Sequence, residues 1–115
     1  MRHEVYALNI PGVNATGGDA RDIRNLTRAA VFVHKSGAAT FSFKIQVKVS
    51  SIDDADINDD WIDLTGAITA AGIYPIADQT TGAPLAATHV RIFRTTLAAG
   101  TPLANVGGLN VRTDL

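Results

Sequence analysis

The chain has 115 residues, no cysteine and a formal net charge of −1 from 10 basic and 11 acidic side chains. Area scaling gives such a chain a folded surface of roughly 6,000 Å² against about 17,500 Å² unfolded, which supports one core without covalent staples; disulfides and thiolate metal sites are excluded. No basic excess marks a nucleic-acid binder, and no apolar run nears the ~20 residues of a membrane-spanning helix. The start, Met1-Arg2-His3-Glu4, turns polar too soon for a signal peptide, so the chain is expected to be mature as written. Charged residues make up only 18 %. A domain this small exposes much of its surface, and so weakly charged an exterior reads as one partly covered by partners.

In chain order, a short N-terminal arm (Met1 to Val5) overlaps a first strand, Glu4 to Ile10, which Pro11-Gly12 ends. Past Gly17-Gly18, Asp19 to Leu26 reads as a helical turn with Ile23 and Leu26 three apart. Arg21, Arg24 and Arg28 then share a face if that segment is helical, a basic cluster suited to acidic partner surfaces or to plain solvation. Ala29 to His34 is a β-branched and aromatic strand, followed by a turn at Ser36-Gly37.

Phe41 to Ser50 carries the clearest signal. Phe41, Phe43, Ile45, Val47 and Val49 alternate with Ser42, Lys44, Gln46, Lys48 and Ser50, the period of a half-buried antiparallel strand. An acidic stretch at 53–60 precedes a short strand, Trp61 to Leu64, and another run from Ile68 to Ile76. After Gly82 to Pro84, the strand Ala87 to Thr96 puts Val90 and Ile92 on one face and His89, Arg91, Phe93 and Thr95 on the other. Gly100 to Pro102 is a turn, and Leu109 to Arg112 closes the sheet after Gly107-Gly108. Seven or eight short strands spaced this way predict an all-β fold: a single antiparallel β-sandwich of jelly-roll type spanning 1–115.

Candidate chemistry is sparse. Asp54, Asp56 and Asn58 fall at the first, third and fifth positions of a calcium loop. Asp59 then stands where that loop needs glycine and Thr65 where it needs a bidentate glutamate, so a solvated turn is the expectation. His3, His34 and His89 show no metal-ligand spacing. There is no nucleophile elbow, Walker loop or dinucleotide fingerprint, and no enzyme, cofactor or small-molecule substrate is expected. Trp61, the one tryptophan, is expected as a core or inter-sheet anchor beside Ile62 and Leu64; stacking on a sugar ring is the alternative.

The alternating strand Phe41 to Ser50, Ser51-Ile52-Asp53, the acidic loop, Trp61-Ile62-Asp63-Leu64, Ala71-Gly72-Ile73-Tyr74 and the Val90-Arg91-Ile92 strand together resemble small β-sandwich structural proteins of tailed bacteriophage virions, of the capsid decoration (cement) type. The resemblance covers roughly the central half of the chain. It implies a protein made in the host cytoplasm and placed on the capsid surface, bound at junctions of the major capsid protein, often as a dimer or trimer. Contacts are expected from the N-terminal arm with Arg2 and His3, from the segment with Arg21, Arg24 and Arg28, and from the loop with Pro84. A carbohydrate-binding (lectin-like) module or a tail or fibre-associated protein shares the rhythm and stays open.

Overall fold

A computed structural model describes residues 2–35, 39–48, 61–78, 81–83 and 87–110, and strands are the only extended elements among them. They are β1 (Arg2–Leu8), β2 (Thr16–Gly17), β3 (Arg21–Asp22), β4 (Leu26–His34), β5 (Thr40–Lys48), β6 (Ile62–Asp63), β7 (Gly72–Pro75), β8 (His89–Ala99) and β9 (Leu103–Asn110). Sheet A runs β1-β9-β4-β7; sheet B runs β2-β8-β5-β6, with β3 also on β8. Every pairing is antiparallel.

The alternation of β5 becomes a core. Phe41, Phe43, Ile45 and Val47 point inward, and the β5/β8 register sets Ile45 opposite Ile92 and Val47 opposite Val90. From sheet A, Leu8, Val31, Val33, Ala104 and Val106 complete one buried cluster between the two sheets. Phe43, Ile45, Ile92, Val31, Val90 and Val106 are wholly enclosed, so each contributes on the order of 1.5–3 kcal/mol of burial.

Two of the crossings between the sheets, from β4 to β5 and from β8 to β9, form neighbouring corners. Gly100 turns the second with φ +84, and a Cβ there would lie 2.4 Å from the Cβ of Ala39 in the first. Glycine is therefore required twice over, by conformation and by space.

Several expectations need correction. Residues 19–26 are not helical: Arg21 and Asp22 pair with Val90 and His89 on the edge of β8, and the Ile23 amide donates to the Thr88 carbonyl. The spacing of Ile23 and Leu26 comes instead from a turn, in which the Leu26 amide reaches the Ile23 carbonyl and Asp22 accepts the Arg24 amide. Arg2 to Val5, expected as an arm, lie within β1 and pair with Asn110 to Gly107. The last strand starts at Leu103, and Gly107-Gly108 are inside it. Their role is close approach, since a Cβ on Gly108 would sit 2.9 Å from the Thr27 carbonyl oxygen. Of the run from Ile68 to Ile76, only β7 is a strand, with Ile68 bridging singly to Phe43.

Gly82 also has positive φ (+76) but faces open space. Gly100→Ala is therefore expected to lower the urea midpoint clearly more than Gly82→Ala, because only the first adds a steric clash to left-handed strain.

Candidate functional site

Because side chains alternate, whatever β5 and β8 do not send into the core they present on the outside of sheet B. There Gln46 faces Arg91, Lys48 faces His89, and Lys44 faces Phe93. Gln46, Lys48, His89 and Arg91 are nonetheless buried, and buried polar groups need partners. The Arg91 Nε donates to the Gln46 Oε1 at 2.7 Å, the Gln46 Nε2 donates to the Asp63 Oδ1 at 2.9 Å, and the Lys44 Nζ lies 3.2 Å from the Asp63 Oδ2. These bonds hold the Asp63 carboxyl below its usual range, chiefly through Gln46 and then through Lys44.

Trp61 lies over this network. Its ring centroid is 4.4 Å from the Arg91 guanidinium carbon and 5.6 Å from the Lys48 Nζ, within cation–π range. On Arg91's other contact side, a Cβ on Gly17 would come within 2.6 Å of three guanidinium atoms. A cleft of about 440 Å³ runs between β2 and Trp61, floored by Gln46, Arg91 and Phe93. Trp61 is thus half-buried on an outer face and is not the inter-sheet anchor expected of it. The reason is parity: Asp63 pairs with outward-facing Gln46, so Trp61 shares its side, while Leu64 takes the buried place.

A second hollow, of about 760 Å³, is lined by Tyr6, Arg21, Asp22, Arg24, Asn25 and Asn110. The Tyr6 hydroxyl accepts from the Asn25 Nδ2 at 2.9 Å and donates to Glu4. The Arg21 guanidinium stands 5.2 Å from the Tyr6 ring centroid. Arg24 is held on Asp22, its Nε 3.0 and 3.1 Å from the two carboxylate oxygens. Glu4, through Tyr6 first, and Asp22, through Arg24 first, both titrate below their ordinary range.

The three arginines do not share a face. Arg21 and Arg24 meet at this hollow, whereas Arg28 sits on a bulge of β4 with φ +54 and lines a different hollow of about 290 Å³. That hollow lies on the outside of sheet A, with His3, Val5, Phe32, Gly107 and Leu109. Arg2 is exposed and pairs with Glu4 at 3.4 Å. Asp54, Asp56, Asn58 and Pro84 lie outside the described residues. Among the described residues no group of three or more histidines and carboxylates could hold a metal.

The outer face of sheet A is the feature sequence reasoning missed. The register lays out His3–Leu109–Thr27, then Val5–Gly107–Ala30–Pro75, then Ala7–Asn105–Phe32–Ile73, then Leu103–His34. These rows contain no lysine, arginine, aspartate or glutamate. Val5, Ile73 and Leu103 are 64 %, 65 % and 63 % exposed, three of the five large hydrophobic residues so exposed among the described residues. A signal was available: Val5, Ala7, Ala30 and Phe32 occupy the parity that in β5 is polar. No protein-family model matches the chain, and no curated protein or solved structure matches it.

Two measurements follow from the polar network. Trp61→Ala is expected to cost about 1–2 kcal/mol in urea denaturation, the scale of lost cation–π contact and partial burial; a loss of 4 kcal/mol or more, on the scale of a core aromatic, would place the ring in the core. Asp63 has a depressed folded pKa, so the stability it adds is present above the unfolded value and is lost as pH falls through the folded one. The Asp63→Asn variant should therefore lose less stability than wild type between about pH 5 and pH 2.

Proposed function

We propose that this protein is a non-enzymatic structural component of a virion, a capsid decoration protein that binds at junctions of the major capsid protein and stabilises the head. The observation that carries the reading is the outer face of sheet A: a largely apolar sheet surface, whose rows hold no lysine, arginine, aspartate or glutamate, suits coverage by protein rather than water. The polar hollow with exposed Arg21 and Arg24, and Val13, exposed in the loop before β2, offer further contacts to a lattice.

The strand order supports a jelly-roll reading. With β2 and β3 taken as one interrupted strand, β1-β9-β4-β7 lies opposite β2/β3-β8-β5-β6, the interleaving that two Greek keys produce. That architecture recurs in viral capsid and lectin domains. A rigid two-sheet body adds interface area to a shell under outward pressure from its packed genome, and repetition over the lattice turns modest single-site affinity into tight retention.

Trp61 gives the carbohydrate-binding reading its one favourable observation, an aromatic ring on an outer face beside a cleft. Against it, both amide atoms of Gln46 are already engaged within the protein, which leaves the cleft few groups with which to orient a sugar.

The test is co-sedimentation with heads prepared without this protein. Saturable binding at a fixed ratio to the major capsid protein, with heads that better resist heat or osmotic shock, is the expected outcome. Folded protein that fails to bind such heads, yet binds on a glycan array, would overturn the proposal in favour of the lectin-like reading.

A further inference from the structure

We infer that the free edge of β1 is a strand acceptor: the backbone of His3 and Val5 takes up an extended segment of a different protein as a further strand of sheet A. This goes beyond the proposed function, since it names a mode of attachment through the main chain that any partner with such a segment satisfies.

The direction of the backbone groups along β1 follows from two hydrogen bonds. In an antiparallel ladder the N–H and C=O of one residue point the same way, and the direction alternates from residue to residue. The Arg21 guanidinium donates to the Ala7 carbonyl at 3.4 Å, from the side of β1 that faces away from β9. His3, Val5 and Ala7 therefore point outward, and Arg2, Glu4, Tyr6 and Leu8 bond β9. The far side of the sheet agrees. The Ile76 amide donates to the Ala29 carbonyl, so Val31 and Val33 turn their backbone groups to β7, and Ala30 and Phe32 turn theirs to β9. Gly107 and Asn105, opposite Ala30 and Phe32, then face β4 and leave Val5 and Ala7, their partners on the other side, unbonded. Among the described residues nothing bonds the N–H or C=O of His3 or Val5.

The other edges are closed to such an addition by ordinary devices. β2, β3 and β6 are two residues long, and β7 has four and ends in Pro75; short strands and proline are what blunt a sheet edge. β1 has seven residues, neither lysine nor proline, and an unbroken register with β9 that holds no bulge. Such an edge is a template for pairing, and it is the long one here.

The chemistry of the occupant follows from what it extends. On one side the added strand continues the rows His3–Leu109–Thr27 and Val5–Gly107–Ala30–Pro75, which hold no lysine, arginine, aspartate or glutamate. Its residues on that side are accordingly uncharged, and they lie against Val5, which is 64 % exposed. Main-chain bonds supply the attachment and alternate side chains the selectivity. A second copy of β1 fits poorly. Within β1, two two-fold registers engage both His3 and Val5. One, centred on Val5, sets His3 opposite Ala7, whose carbonyl Arg21 already holds. The other, centred on Glu4, sets two glutamates directly opposite each other, a destabilising pair.

The test has two arms. On the isolated protein, Val5→Pro removes an N–H that bonds nothing and is expected to keep the thermal midpoint within a few degrees of wild type. Glu4→Pro, one residue away, removes a ladder bond to β9 and is expected to lower it by about 5 °C or more. A chain in which Thr-Val-Thr-Val-Thr-Asn-Gly replaces Met1-Arg2 offers β1 a strand through a tight turn that closes on His3. It is expected to slow hydrogen exchange of the His3 and Val5 amides at least about tenfold, and adding Val5→Pro should cancel the gain at His3. Equal losses from the two prolines, or an added strand that leaves both amides unprotected, would overturn the inference. Protection of these amides in wild type on raising concentration alone would name a second copy as the occupant and overturn it too.

The second arm uses phage heads prepared without this protein. Slow exchange at His3 and Val5 in the bound protein is the expected result. Bound protein whose His3 and Val5 amides exchange as in the free chain overturns the inference and keeps the proposed function. A chain that ignores heads yet takes the added strand supports the acceptor edge and contradicts the proposed function.

Discussion

The antiparallel pairing of β5 with β8 is the constraint on which the rest of the architecture hangs. Side chains alternate along both strands, so one register decides two surfaces at once. Setting Ile45 opposite Ile92 and Val47 opposite Val90 builds the floor of the core, and it also sets Gln46 opposite Arg91 and Lys48 opposite His89 on the other side. A slip of one residue would turn lysines inward and phenylalanines outward, at a cost of several buried charges. The stacked rings of Phe41 and Phe43, 4.6 Å between centroids, further anchor β5 beneath the corner where Gly100 meets Ala39.

From that constraint the two outer faces acquire opposite characters. Sheet B covers its own polar groups: Arg91, Gln46, Asp63 and Lys44 form a bonded line, and Trp61 lies over the cations. Burying a guanidinium leaves the fold dependent on these bonds, since removal of one partner strands the other. Among the described residues the outer rows of sheet A show no such network. Its edge strands β1 and β7 and its inner strands β9 and β4 present valine, alanine, leucine, phenylalanine and isoleucine outward. At about 25 cal/mol per Å², covering such a face is a large favourable term for association, reduced by the cost of ordering two bodies into one.

Legibility in the sequence tracked how locally each property is determined. The alternation from Phe41 to Lys48 belongs to one strand and needs no partner to be read, so the all-β class, β5 and the core parity of β8 were visible. The arginines at 21, 24 and 28 were spaced for a helix, but the open edge of β8 takes up residues 21–22 as a strand, a tertiary effect that local spacing does not carry. Trp61 was misplaced because residue type was weighed above parity; Asp63 two residues later marks that side as the polar one. The apolar outer face of sheet A draws one row from β1, β9, β4 and β7 together, so it becomes visible only when the register is known. Gly107-Gly108 were placed before the last strand and not inside it for the same reason: whether a glycine pair bends the chain or admits a neighbour depends on what lies beside it.

The central claim is that protein covers the outer face of sheet A. The most direct measurement is the accessibility of the Val5, Ile73 and Leu103 methyl groups to a soluble paramagnetic probe in the assembled protein, with Val13 and Ile62 as internal standards of similar exposure in the single chain. Protein coverage of the face is expected to shield the first three while Val13 and Ile62 relax as exposed groups. Equal and full relaxation of all five, in the protein alone at high concentration and bound to heads, would contradict it.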